Sequence, residues 1–268
     1  MIRAPAHLRR GRPRRPLLST ALLLACVVST QPCRADGDPT SLAIGAGIQR
    51  LPSWAGARNH RLERLPYLDV EWPDHVSLST QDGLHVDLVG GSILHGGVYG
   101  DYQWGRDTDD LGELRHRINP LSPRLTLGGY LEWQLTRQID MGTNLSHDIN
   151  GAGSYLKLYG EWDLPAVGLL QHSLALSWQA MNGAAMNRFF GVNASQASAL
   201  NVLPWQPGAG GQLASIEYDL FMPTSKHTGV AVALSYGRLL GAAASSPLVT
   251  HFGSATQFSE SLAFVYHL

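Results

Sequence analysis

Cysteine is nearly absent from this 268-residue chain. There are two, Cys26 and Cys33, and both fall within the first 35 positions. If those positions are removed on export, the mature chain has no thiol, which excludes disulfides, thiolate catalysis and cysteine metal sites together. Long apolar runs are absent too: after the N-terminal region no stretch reaches 18 consecutive apolar residues, so helical membrane spans are excluded while barrel strands are not. Charge is scarce at 15% of residues, but hydrophobic content of 44% is enough for folding, so the composition does not suit a disordered chain.

The formal net charge of −1 averages two unlike parts. Seven arginines (Arg3, Arg9, Arg10, Arg12, Arg14, Arg15, Arg34) and no carboxylate occupy positions 1–35; the other 233 residues hold 13 basic side chains against 21 acidic ones, a net −8. An acidic chain has no basic footprint with which to release counterions from phosphates, which argues against nucleic acid as a partner. The arginine-rich start, the apolar run from Leu17 to Val28, and Cys33-Arg34-Ala35 before Asp36 read as a signal peptide over 1–35 cleaved after Ala35, leaving residues 36–268 as the exported domain. Arg14-Arg15 as a twin-arginine signal and Leu23-Leu24-Ala25-Cys26 as a lipoprotein box are weaker readings of the same stretch.

What the rest of the chain does contain is a period of two. From Arg124 to Leu135 one parity reads Leu125, Leu127, Gly129, Leu131, Trp133, Leu135 and the other Arg124, Thr126, Gly128, Tyr130, Glu132, Gln134. Alternating side chains point to opposite faces of a strand, so one face is apolar and the other polar or small. The same split recurs around Leu68-Val70-Trp72, Leu84-Val86-Leu88, Leu156-Leu158 with Trp162, Val230-Val232-Leu234-Tyr236, and Leu262-Phe264-Tyr266-Leu268 at the C-terminus. Turn signals separate these windows, among them Pro52 to Gly56, Pro73-Asp74, Gln81-Asp82-Gly83, Pro223-Thr224-Ser225 and Ala244-Ser245-Ser246-Pro247. About twelve strands are expected, centred near residues 45, 68, 78, 86, 98, 129, 143, 158, 174, 216, 233 and 262, with large loops over Trp104–Leu121 and Met181–Gly211.

A soluble sandwich or lipocalin-like barrel would also alternate, but its polar face would be rich in Lys, Glu and Arg. Here that face is mostly Gly, Ser, Gln and Tyr with occasional carboxylates, as suits a confined lumen, and Trp72, Trp104, Trp133, Trp162, Trp178 and Tyr236 sit near strand ends, as an interfacial girdle requires. The fold class expected is therefore all-β: a transmembrane antiparallel up-and-down barrel of about 12 strands, in contact with outer-membrane lipid of a Gram-negative cell.

Several short segments, in order along residues 41–268, resemble the MipA/OmpV family of outer-membrane barrels, the MltA-interacting protein family. They are Gly45-Ala46-Gly47, Pro52 and Gly56; Leu65-Pro66-Tyr67-Leu68; Gly105-Arg106-Asp107-Thr108-Asp109-Asp110-Leu111; Phe189-Phe190-Gly191-Val192 with Ser195-Gln196-Ala197; Arg238-Leu239-Leu240-Gly241; Ser246-Pro247-Leu248-Val249; and Gln257-Phe258. The resemblance implies a non-enzymatic scaffold that links the outer membrane to murein-remodelling enzymes, with a murein lytic transglycosylase and a penicillin-binding protein as partners. Two features depart from it. The chain ends in Leu268 instead of Phe, which implies less efficient insertion, and Glu113-Leu114-Arg115-His116-Arg117 replaces a stretch in which the family shows glycine and aspartate more often.

Two other functions are open on the residues. Asp69, Glu71, Asp87, Glu132, Lys157, Glu161, Glu217 and Asp219 share the inward parity, a net-negative lining that would favour cations in a channel for small solutes. A lipid hydrolase would need a Ser-His pair: His85 and Asp87 share a strand face, as do Ser173 and Ser177, but His172 on the apolar face has no adjacent serine and Ser245-Ser246 lies in a turn. There is no Gly-x-Ser-x-Gly, His-Glu-x-x-His or phosphate-binding glycine loop. His95, His116, His147 and His251 are scattered, Asp107, Asp109 and Asp110 read more simply as a solvated loop than as a calcium site, and the sequons at Asn144 and Asn193 carry no weight in a bacterial barrel. No catalytic, cofactor or metal residue is assigned, and no cofactor is expected.

Overall fold

The computed structural model describes residues 40–72, 76–81, 83–91 and 93–268. The signal peptide over 1–35 and the turn residues Pro73, Asp74 and Asp82 lie outside the described residues.

Twelve strands are found in the described chain, one at each expected centre: β1 (Ser41–Pro52), β2 (His60–Trp72), β3 (Val76–Ser79), β4 (Gly83–Gly90), β5 (Leu94–Gln103), β6 (Arg124–Gln134), β7 (Ile139–Asp148), β8 (Ser154–Val167), β9 (Leu170–Met181), β10 (Gly210–Pro223), β11 (Thr228–Leu239) and β12 (Thr256–His267). Each is antiparallel to its sequence neighbours, and β12 returns to β1, so the sheet closes into a barrel with no free edge. The closing seam runs from Ala43 opposite His267 to Arg50 opposite Glu260. Gly45 and Gly47 lie on it: a Cβ there would come within 2.3 Å of the Phe264 carbonyl oxygen and 2.2 Å of that of Leu262, so the approach of the two strands depends on their having none.

The faces are those the alternation dictates. Leu127, Leu131, Trp133, Leu145, Leu158, Trp162, Leu176, Leu262 and Phe264 project outward and are exposed, as a wall solvated by lipid requires. Trp72, Trp133 and Trp162 lie toward one rim and Trp178, Tyr236 and Phe258 toward the other, both groups exposed. This is the girdle expected from the sequence.

The two ends differ. The start of β1 and the end of β12 belong to one rim, where Leu268 N–H donates to the Leu42 carbonyl and His267 N–H to that of His227, and the connections at that rim are short, as at 135–138, 168–169 and 224–227. The long connections 104–123, 182–209 and 240–255 all lie at the opposite rim. The lumen is also divided. On the side of β1, β2 and β10–β12 it is filled by Phe221, Leu65, Tyr67 and Val265 packed over Ala43, Ala231, Ala233 and Ala263. Phe221 fits because its neighbours are small: a Cβ on Gly229 would lie 2.1 Å from its ring.

Candidate functional site

The long connections are not open loops but folded segments. Segment 182–209 folds into α1 (Gly183–Phe190) and α2 (Ala194–Leu200), and 240–255 into α3 (Gly241–Ala244) and α4 (Pro247–Phe252); 104–123 holds a short 3-10 stretch, Asp109–Leu114. Side-chain caps start α1, α2 and α4. The Asn182 side chain accepts the Ala185 N–H, and Asn193 forms a full capping box with Gln196, in which the two residues exchange side-chain-to-backbone hydrogen bonds. Ser246 caps α4 with Pro247 at its first position, and α2 ends on Asn201 in the left-handed region.

Helices of four to eight residues are not stable by themselves. What holds them is a core at the long-loop rim: Trp54, Leu111, Leu114, Ile118, Met186, Phe189, Phe190, Val192, Leu200, Leu239, Leu248 and Val249 pack as one cluster, with Phe190, Met186 and Leu248 fully buried. Polar contacts join these three segments to one another and to the 53–59 turn between β1 and β2. Arg106 Nη1 donates to the Phe189 carbonyl at 3.0 Å, and Ser246 Oγ to the adjacent Phe190 carbonyl at 2.7 Å. Gly56 N–H donates to Gln257 Oε1 at 2.9 Å, Ser254 N–H donates to the Gly56 carbonyl, and Arg61 pairs with Asp110 at 2.5 Å. Gly56 has φ +105°, and a Cβ there would lie 2.8 Å from Val249, so no other residue type fits this crossing easily. Together these segments form a packed cap at the rim.

Beneath the cap lies a cavity of about 370 Å³ in the upper lumen, within the range of about 300–1,000 Å³ typical of ligand pockets. Tyr99, Tyr155 and Leu239 from the strands and Trp54 and Phe189 from the cap contribute its apolar walls, and Asp101, Lys157, Asn144, Gln212 and Arg106 its polar ones. Backbone hydrogen bonds with Leu121 in both directions place Arg106 at the neck of segment 104–123, where it is almost wholly buried. Gly105 allows that neck to close, since a Cβ there would lie 1.7 Å from the Leu121 carbonyl oxygen. Burial, and secondarily the positive charge of Arg188, lowers the Arg106 guanidinium to about 10, so it stays charged at neutral pH. No described carboxylate pairs with it.

Most residues weighed from the sequence are accounted for by structural contacts. His85 and Asp87 do share the lumen face, but the His85 ring packs on Tyr99 and Tyr130 at centroid distances of 5.0 and 4.7 Å, and Asp87 accepts the Tyr130 hydroxyl. Ser177 shares a hydrogen bond with Ser215 at 2.8 Å; His172 faces outward, held by Tyr218 and the Pro165 carbonyl. Ser246 is a buried helix cap. In the acidic loop Asp110 is taken by Arg61 and Asp109 by Arg115, and among the described residues no group of three potential ligands could hold a metal ion. The proposed inward carboxylates lie on the lumen face; Glu132 accepts the Tyr159 hydroxyl at 3.2 Å. Sequence reading missed Arg106 as a site residue, although it stands in a quoted motif, because its burial depends on Phe189, 83 positions away.

A family model described as MltA-interacting protein MipA matches residues 44–268. No curated protein matches the chain. Among solved structures it is similar to an outer membrane channel from Pseudomonas putida F1 (9% identity, TM-score 0.41, 90% of this chain and 100% of that one). It is also similar to the NanC porin (8%, 0.40, 85% and 100%) and to the CymD monoaromatic hydrocarbon channel (12%, 0.39, 85% and 88%).

Proposed function

The chain belongs to the MipA family, and from that premise we propose that it is a non-enzymatic outer-membrane barrel that serves as an interaction scaffold rather than as a pore. The observation that carries this reading is the cap. Four segments packed around fully buried Phe190, Met186 and Leu248 occupy one rim, and in this reading they close it, where an open porin would leave a water-filled mouth. Short turns belong to the periplasmic side of such barrels and long loops to the outside, so the cap faces outward and the rim where β1 starts and β12 ends faces the periplasm. Residues 1–35 deliver the chain there, with the mature protein starting at Asp36.

The family's name supplies the partner class. A murein lytic transglycosylase, with a penicillin-binding protein as a second member, would dock at the short-turn rim, the side on which murein lies. Pull-down of the tagged protein from solubilised envelopes should recover a murein hydrolase or synthase; recovery of general outer-membrane proteins alone would overturn the scaffold reading. N-terminal sequencing of the mature protein should begin at Asp36.

A second reading is favoured by one observation, the net-negative lumen face that includes Asp87, Glu132, Glu161 and Asp219. If the cap opens in the membrane, those groups would favour cations over anions.

A further inference from the structure

We infer that the cavity under the cap is a binding site for a small hydroxylated aromatic carboxylate, with Arg106 as the partner of the carboxylate. This goes beyond the scaffold reading and does not depend on it.

Three observations carry the inference. First, Arg106 lines the cavity with only 5% of its surface exposed. Its Nη1 is engaged by the Phe189 carbonyl, its Nε has no hydrogen-bond partner, and no described carboxylate pairs with it. A buried cation without a counter-charge is costly, and a guanidinium is the side chain best shaped to hold a carboxylate through two parallel N–H donors. The other cations at the wall are already occupied: Arg61 pairs with Glu63 and Asp110, and Lys157 lies over the Tyr159 ring and within the field of Asp101.

Second, two more lining groups have unmatched capacity of the complementary kind. Asn144 Oδ1 and Gln212 Oε1 are buried acceptors with no hydrogen-bond partner, and they suit hydroxyl donors on the body of the ligand. Third, the buried rings of Trp54, Tyr99, Tyr155 and Phe189 offer flat apolar surface between these polar points, which favours a ring over an extended chain. Arg188, whose Nη1 is likewise buried without a hydrogen bond, adds positive charge near Arg106 and strengthens the preference for an anion.

The test uses the refolded full-length mature barrel in neutral detergent micelles. The probe is hydroxynaphthoate, a fluorescent hydroxylated aromatic carboxylate, compared with its methyl ester, and binding is read after subtraction of partition into empty micelles. The acid should saturate at one site and the ester should bind at least about tenfold more weakly, because loss of a charge-assisted pair with a buried group costs more than about 1.4 kcal/mol. Arg106→Gln should weaken the acid at least as much and leave the ester unchanged. Should Arg106→Gln fail to fold, Ser146→Trp, which fills the cavity from the β7 wall and leaves Arg106 and the cap in place, should abolish saturable binding. Equal affinity for acid and ester, unchanged binding in either folded variant, or no saturable binding above empty micelles would each overturn the inference.

Discussion

Along the barrel wall Leu131, Trp133, Leu145 and Phe264 each leave half or more of their surface exposed, whereas in the cap Phe190, Met186 and Leu248 leave none. Both sets are apolar, yet they are stabilised by different means. The wall is held by closed ladders of backbone hydrogen bonds and presents its side chains to lipid, which solvates them. The cap faces water, so its apolar side chains must be buried against one another as in a soluble domain. One chain thus carries two folding rules, period-two alternation in the strands and clustered burial in the segments between them. Substitutions should separate the two.

The largest effect expected is in the cap. Phe190→Ala removes a fully buried ring from the cluster and should cost about 3–5 kcal/mol. Because the ladder does not depend on that ring, limited proteolysis should cut within 182–209 much faster while heat-modifiable migration of the barrel persists. The converse experiment places a charge on the lipid face: Leu145 lies opposite Gly129, near the middle of β6, and Leu145→Arg should cost about 2–4 kcal/mol. Here the urea midpoint of the barrel in lipid should fall, with cap proteolysis unaltered up to that midpoint.

Asp148 stands where the two regions meet. Its carboxylate is fully buried and accepts from Arg124 Nη1 at 2.5 Å, Tyr155 hydroxyl at 3.1 Å and Gly153 N–H at 3.2 Å. Asp148→Asn should cost about 1–3 kcal/mol, and hydrogen exchange should rise in the 149–153 turn and at the top of β8 together. The smallest effect is expected at a cap of the cap: Asn193→Ala removes the acceptor of the α2 capping box and should cost about 1 kcal/mol, visible as faster exchange in α2 alone.

The same division explains what could be read from sequence. A strand lies at every expected centre, and outward faces followed from alternation where it was clear, because the register of a strand with one lipid-facing side is written into consecutive residues such as Leu125 to Leu135. Nothing comparable encodes the cap. α1 and α2 have eight and seven residues, too few for a helical period to stand out, and they are stable only through contacts with Trp54, Leu114 and Leu248 from other loops. Local signals were present, in Asn193 three residues before Gln196 and in Ser246 before Pro247, and they mark helix starts without saying what the helices cover. The turn expected at Ala244–Pro247 is present at Ser245 and Ser246, where it joins α3 to α4.

The segments that carry the family resemblance gain a physical meaning from this. Gly56, Gly105-Arg106, Phe189-Phe190, Gln196 and Ser246-Pro247-Leu248-Val249 are far apart in the chain and meet in the cap, where the paired carbonyls of Phe189 and Phe190 receive Arg106 and Ser246. The candidate site was legible only in parts: the inward Lys157 followed from parity, while the enclosure of Arg106 required the loops to be folded.

Closure of the long-loop rim is the claim on which the rest depends, and electrical recording tests it most directly. The purified, refolded barrel inserted in planar bilayers should show no steady ion current across the applied voltage range, while heat-modifiable migration confirms that it is folded. A stable ohmic conductance from the unmodified protein would contradict the account, since it would mean that water and ions pass a rim held here by packed Phe190, Met186 and Leu248.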